Sequence, residues 1–140
     1  MKTKFDGVVK VKKQLVDKIE NDIQKINKAI SDIDIKIEEL NSIINSLELP
    51  KSGSFSKITQ INTQKNMLRK EINSLKNQKE MLKNRKSMLF EELKKARVEF
   101  EKMKYLQSEE IKKKIKEMKL KEAREMDEIA ILIKANNESK

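Results

Sequence analysis

The side chains that could do acid–base or metal chemistry in this chain are carboxylates and lysines, because histidine and cysteine are both absent. That excludes a thiol nucleophile, an imidazole base and the usual zinc ligand sets. Several carboxylates stand in adjacent pairs: Glu38-Glu39, Glu91-Glu92 and Glu109-Glu110. An acid/base or metal site needs its carboxylates to converge on one point, and neighbours on a helix point about 100° apart. These pairs therefore read as solvated surface. Gly7 and Gly53 are the only glycines and cannot form a phosphate-binding loop. The expectation is no catalytic residue, no cofactor, no metal and no small-molecule substrate. The chain reads as a binding part rather than an enzyme.

Positive charge is the remaining chemical feature. The net charge is +10 over 140 residues, and its placement is uneven. Residues 1–50 carry nine lysines against nine acids, and residues 105–140 carry nine basic residues against eight acids. Residues 51–104 carry fifteen basic residues against six acids, so the excess lies in the middle. Such a segment could attract phosphate, but it lacks interleaved aromatics and any base-reading motif. It reads as a solvated face, with weak nucleic-acid affinity that physiological salt removes.

The elements that carry these residues follow from apolar spacing. From Val16 the steps to Ile19, Ile23, Ile26, Ile30, Ile33, Ile37, Leu40, Ile44 and Leu47 alternate three and four without a break. This is a heptad repeat with Val16 at a and Ile19 at d. It extends back to Val9 and Phe5, with Lys12 out of place. Thr3 can cap the helix with Asp6 three residues on. Pro50 must end it, and Pro50-Lys51-Ser52-Gly53-Ser54 is the only turn-like stretch. Ser54 or Ser56 can cap a second helix. Its heptad runs Ile58, Ile61, Lys65, Leu68, Ile72, Leu75, Lys79, Leu82, Lys86, Leu89, Leu93, Ala96, Phe100 and Met103.

These patterns predict an all-α fold: one coiled-coil domain over 1–140, a long antiparallel two-helix hairpin whose second helix is the longer. Helix 1 is expected at about 4–48, a turn at about 50–55, and helix 2 at about 56–135. Folding at Gly53 sets Leu47 against Ile58, Ile44 against Ile61, Ile33 against Ile72, Val16 against Leu89 and Phe5 against Phe100. The residue numbers of each pair add to 105, and the paired part spans roughly 65 Å. After Met103 the phase slips, and about 35 residues, some 50 Å of helix, overhang without an internal partner. The apolar stripe on that overhang calls for a partner.

Three lysines, Lys65, Lys79 and Lys86, occupy core a positions. Their stems can lie along the seam while the ammonium reaches water, favouring register and solubility. A loosened seam that permits bending is the alternative. Val8, Val11 and Leu15 form a second apolar stripe that reads as partner contact. Met67, Met81 and Met88 share the c position of the seven-residue repeat, with Ser74 at the c position between the first two. They fit either a wider core or a partner surface, for which flexible methionine is suited. Leu49 and Phe55 flank the turn.

No apolar signal-peptide core and no run of 18 apolar residues is present, so the chain is expected to be soluble, or peripheral to a membrane through a partner. The lack of cysteine fits a reducing cytosol.

The run Lys4-Phe5 followed by Val8, Val9, Val11-Lys12-Lys13 and Leu15 resembles the opening of the FliJ family, the coiled-coil stalk proteins of the bacterial flagellar type III export ATPase. The run Glu122-Ala123-Arg124-Glu125-Met126-Asp127-Glu128-Ile129-Ala130 is similar to that family's closing signature, with Met126 where leucine is common. Length, basic character and a longer second helix fit as well. The resemblance implies a stalk similar to the central shaft of rotary ATPases, cytoplasmic and held at the inner membrane by its partners. It implies contact with the export ATPase hexamer at the terminal end, through Phe5, Val8, Val11, Leu15, Met126, Ile129 and Ile133. It implies contact with the membrane export gate through Leu49, Phe55, Met67 and Met81, and binding of export chaperones. The core residues are Ile19, Ile23, Ile26, Ile30, Ile33, Ile37, Leu68, Ile72, Leu75, Leu82 and Leu89. A virulence-type secretion stalk, a generic coiled-coil adaptor and a basic helical nucleic-acid-binding protein are the alternatives. A prefoldin-type chaperone needs strands between its helices, and Pro50 to Ser54 leave no room for them.

Overall fold

The structure is a computed structural model that describes residues 1–48 and 54–138. It contains two helices, α1 (Asp6–Ser46) and the longer α2 (Phe55–Glu138), and no strand among the described residues. The two pack against each other as an antiparallel coiled-coil hairpin.

The start of α1 is fixed by local polar chemistry. The Thr3 amide donates to Asp6 Oδ2 at 3.0 Å and the Thr3 hydroxyl to Asp6 Oδ1 at 2.6 Å. The same hydroxyl accepts from the Phe5 amide at 3.2 Å. Free amides at the helix entry are thus satisfied before the helical ladder begins. At the far end the Leu47 amide donates to the Ile44 carbonyl at 3.2 Å, which tightens the exit. The Ser54 carbonyl opens α2 by accepting from the amides of Lys57 and Ile58. Of the turn expected at about 50–55, residues 50–53 lie outside the described residues, as does Leu49, and α2 already begins at Phe55.

The chain forms two packed units. One comprises Asp17–Lys95. Its buried side chains are Ile19, Ile23, Leu40, Ile72, Leu89 and Leu93. The other predicted core positions, Ile26, Ile30, Ile33, Ile37, Leu68, Leu75 and Leu82, are half-buried, as a seam of only two helices leaves part of many side chains open to solvent. Lys65, Lys79 and Lys86 are half-buried in the same phase. Lys79 Nζ reaches out of the seam to Asp34 Oδ1 at 2.6 Å, the arrangement expected of a core lysine with its stem along apolar surface.

The register differs from the expected one. The buried residues match as Ile19 with Leu93, Ile23 with Leu89 and Leu40 with Ile72, each pair adding to 112 rather than 105. The Lys79–Asp34 bond adds to 113. The seam is therefore displaced by one heptad, and Ile33 does not face Ile72. A slide of seven residues leaves every a and d position in phase, so apolar periodicity cannot detect it. Polar partners can: in the expected register Asn27 would stand where Asp34 meets Lys79. Cysteines at Leu40 and Ile72 should accordingly form an intramolecular disulfide under mild oxidation, whereas cysteines at Ile33 and Ile72 should stay reduced. The opposite result would restore the shorter-looped register.

The other unit comprises Met1–Val16 and Ala96–Lys140. Val16 and Ala96 are buried and also add to 112. Gln107 Nε2 donates to Asp6 Oδ1 at 2.9 Å, so Asp6 meets Gln107 and Phe5 does not lie level with Phe100. Lys114 Nζ donates to the Lys2 carbonyl at 2.7 Å. The residues ahead of α1 thus accompany α2 to Lys114, and Met1 shares a shallow groove with Glu117, Met118 and Lys121, so the overhang begins later than expected. Every residue from Ile115 to Glu138 is exposed.

Candidate interaction surfaces

The first candidate surface lies on the unit built from the chain's two ends. Val8, Val11 and Leu15 are exposed on α1, with Val11 61% exposed. Phe5 is half-buried ahead of the helix, and Lys4 Nζ lies 5.3 Å from its ring centroid. It is less available to a partner than the three aliphatic residues. Met126, Ile129 and Ile133 are exposed on the part of α2 beyond Lys121. These residues do not make one patch. Leu15 and Val8 lie level with residues 97 and 104 in the observed register, so roughly 33–44 Å of α2 separates them from Met126.

Asp6 anchors this unit electrostatically. Hydrogen bonds from the Thr3 side chain, then the Gln107 side chain, then the Thr3 backbone hold its carboxyl at about 2, below the ordinary 3.8. A carboxylate that accepts such bonds is favoured in its charged form. Because the folded value is the lower one, the stabilisation is fully present above about pH 4 and is lost as pH falls through about 2. An NMR titration should show the amides of residues 3–9 losing exchange protection between those values. Asp6→Asn should remove that pH dependence.

The second candidate surface lies on the Asp17–Lys95 unit. Phe55, the first residue of α2, is 84% exposed. Met67 and Met81 are 66% and 71% exposed, and Met88 continues their row. The three methionines therefore do not widen the core. Met67 edges a shallow groove shared with Ile43, Leu47, Gln64, Leu68 and Glu71. Met81 edges another with Gln78, Leu82 and Arg85. Leu49 is outside the described residues.

Spacing arguments missed some exposed apolar residues. Ile43 stands one residue ahead of core Ile44, the same flank that holds Val8 and Leu15, so the heptad could have revealed it. Phe90, Val98 and Tyr105 are exposed on α2, as are Leu120, Ile131 and Leu132. They follow no simple repeat, and no spacing signal singles them out.

Among the described residues, no group of three or more acidic side chains is placed to hold a metal ion, and no helix is long and apolar enough to cross a membrane. What both surfaces offer is exposed aliphatic and methionine side chains on rigid helix faces, set among lysines. That is the chemistry of helix docking. No curated protein and no solved structure matches this chain. The family model described as "Flagellar FliJ protein" matches residues 1–139. The chain belongs to the FliJ family, coiled-coil proteins of flagellar protein export.

Proposed function

We propose that this protein is a non-catalytic stalk that links the export ATPase ring to the membrane export gate, with export chaperones as further partners. In this reading the protein is cytoplasmic and is held at the inner membrane through those partners. Val8, Val11, Leu15, Met126, Ile129 and Ile133 engage the ATPase ring, with Phe5 supporting them. Phe55, Met67 and Met81, with Leu49, engage the gate. One observation carries the reading: each of the two packed units has its own exposed apolar set, outside the seam that holds the helices together. A purely structural hairpin has no need of either. Purified chain added to the export ATPase of the same cell should raise ATP hydrolysis at saturating ATP. No rise, with binding to unrelated helical proteins instead, would favour a generic adaptor. Tight, sequence-selective nucleic-acid binding at physiological salt would favour the nucleic-acid reading.

A further inference from the structure

The stretch of α2 from Ile111 on carries a pattern that the proposed function does not require. Its apolar face reads Ile111, Ile115, Met118, Glu122, Met126, Ile129 and Ile133. The steps are four, three, four, four, three, four, the same in either direction, with Glu122 at the centre. These steps average close to the 11-residue repeat, so the face stays on one side of a nearly straight helix. From Ile115 on, all of these side chains are exposed.

Charge on this stretch is segregated about the same centre. Residues 112–121 hold six lysines and one acid, Glu117. Residues 122–128 hold four acids, Glu122, Glu125, Asp127 and Glu128, and one basic residue, Arg124. We propose that the face is covered by the same face of a second copy of this chain, running antiparallel, with Glu122 on the two-fold axis. Ile115 then packs on Ile129 of the second copy and Met118 on its Met126. Lys114 and Lys121 lie on the same flank of the stripe as Glu125 and Glu128, and the antiparallel arrangement sets the basic half against the acidic half. A parallel pair would stack like charge on like charge. An anionic lipid surface would attract residues 112–121 but repel residues 122–128. The contact is isologous, so it closes at two copies. The two Glu122 carboxylates meet at the axis and hold the pairing weak.

This inference goes beyond the stalk reading and is tested without the ATPase. Met126, Ile129 and Ile133 serve both, so the second copy and the ring compete for them. The 140-residue chain should sediment as a reversible monomer–dimer mixture, and Glu122→Gln should tighten the dimer about fivefold by removing the like-charge contact. Because the chain has no cysteine, single substitutions report geometry directly. Glu122→Cys should form a disulfide dimer on mild oxidation. Ile115→Cys and Ile129→Cys should each stay monomeric alone and cross-link when mixed, since level residues alone come within reach. Cross-linking of Ile115→Cys with itself as fast as in the mixture would overturn the antiparallel pairing. A chain that stays monomeric at all concentrations, whether or not it binds anionic vesicles, would overturn the inference altogether.

Discussion

Replacing Leu89 with alanine is expected to destabilise the hairpin by about 2–5 kcal/mol. Leu89 is 2% exposed, and its partner in the observed register is buried Ile23. Truncation removes the transfer free energy of the lost carbons and leaves a void that the close-packed neighbours fill only in part. Ile30 is half-buried, and Ile30→Ala should fall toward the low end of the range. Met81→Ala, at an exposed position, should stay within about 0.5 kcal/mol. Ile23→Ala and Leu89→Ala should be coupled in a double-mutant cycle by roughly 0.5–3 kcal/mol, as residues in contact are. Chemical denaturation followed by helical circular dichroism measures the four single variants and the Ile23/Leu89 double variant. Additive effects at Ile23 and Leu89 would mean that the two do not share a layer of the seam.

The second large effect is functional. Val11→Ser with Leu15→Ser should lower the apparent affinity for the ATPase roughly 30- to 140-fold and leave gate binding intact. Phe55→Ser with Met67→Ser should do the reverse. The magnitude follows from losing two apolar anchors at about 1–1.5 kcal/mol each, where every 1.4 kcal/mol is tenfold. All four side chains are exposed, so neither double variant removes a core contact and both should keep their helicity. If each double variant loses both activities with its fold intact, the assignment of separate partners to the two units is wrong. If neither loses either, these residues are ordinary surface.

The heptads made the fold class readable, because a buried seam leaves a period that solvent-facing residues do not share. The half-buried lysines 65, 79 and 86 fall in that phase too, so polar identity at a core position did not hide it. Register was not readable. Sliding α2 by one heptad exchanges Ile72 for Lys79 opposite Ile33 and adds Leu40 opposite Ile72, nearly balancing apolar contacts won and lost. What separates the alternatives is a few polar meetings, Lys79 with Asp34 and Gln107 with Asp6. Their significance emerges only when the two helices are side by side. The overhang was predicted too long for a related reason. Residues ahead of the helix have no periodicity, yet the Lys2 carbonyl still partners Lys114.

The candidate surfaces were partly readable. Val8, Val11 and Leu15 stand off the seam at helical spacing and are exposed, as their positions imply. Met67 and Met81 could have belonged to a thicker core, and exposure decides that they do not. Ile131 and Leu132 sit off any stripe, and nothing local distinguishes them from chance apolar residues on a polar helix.

The central claim is that one chain bridges two partners, and a three-component sedimentation experiment tests it most directly. The export ATPase, this chain and the cytoplasmic part of the export gate are mixed at concentrations where each pair binds. Bridging predicts one faster-sedimenting species that contains all three and dissolves when the chain is omitted. Two separate binary complexes, with ATPase and gate displacing each other from the chain, would contradict the account.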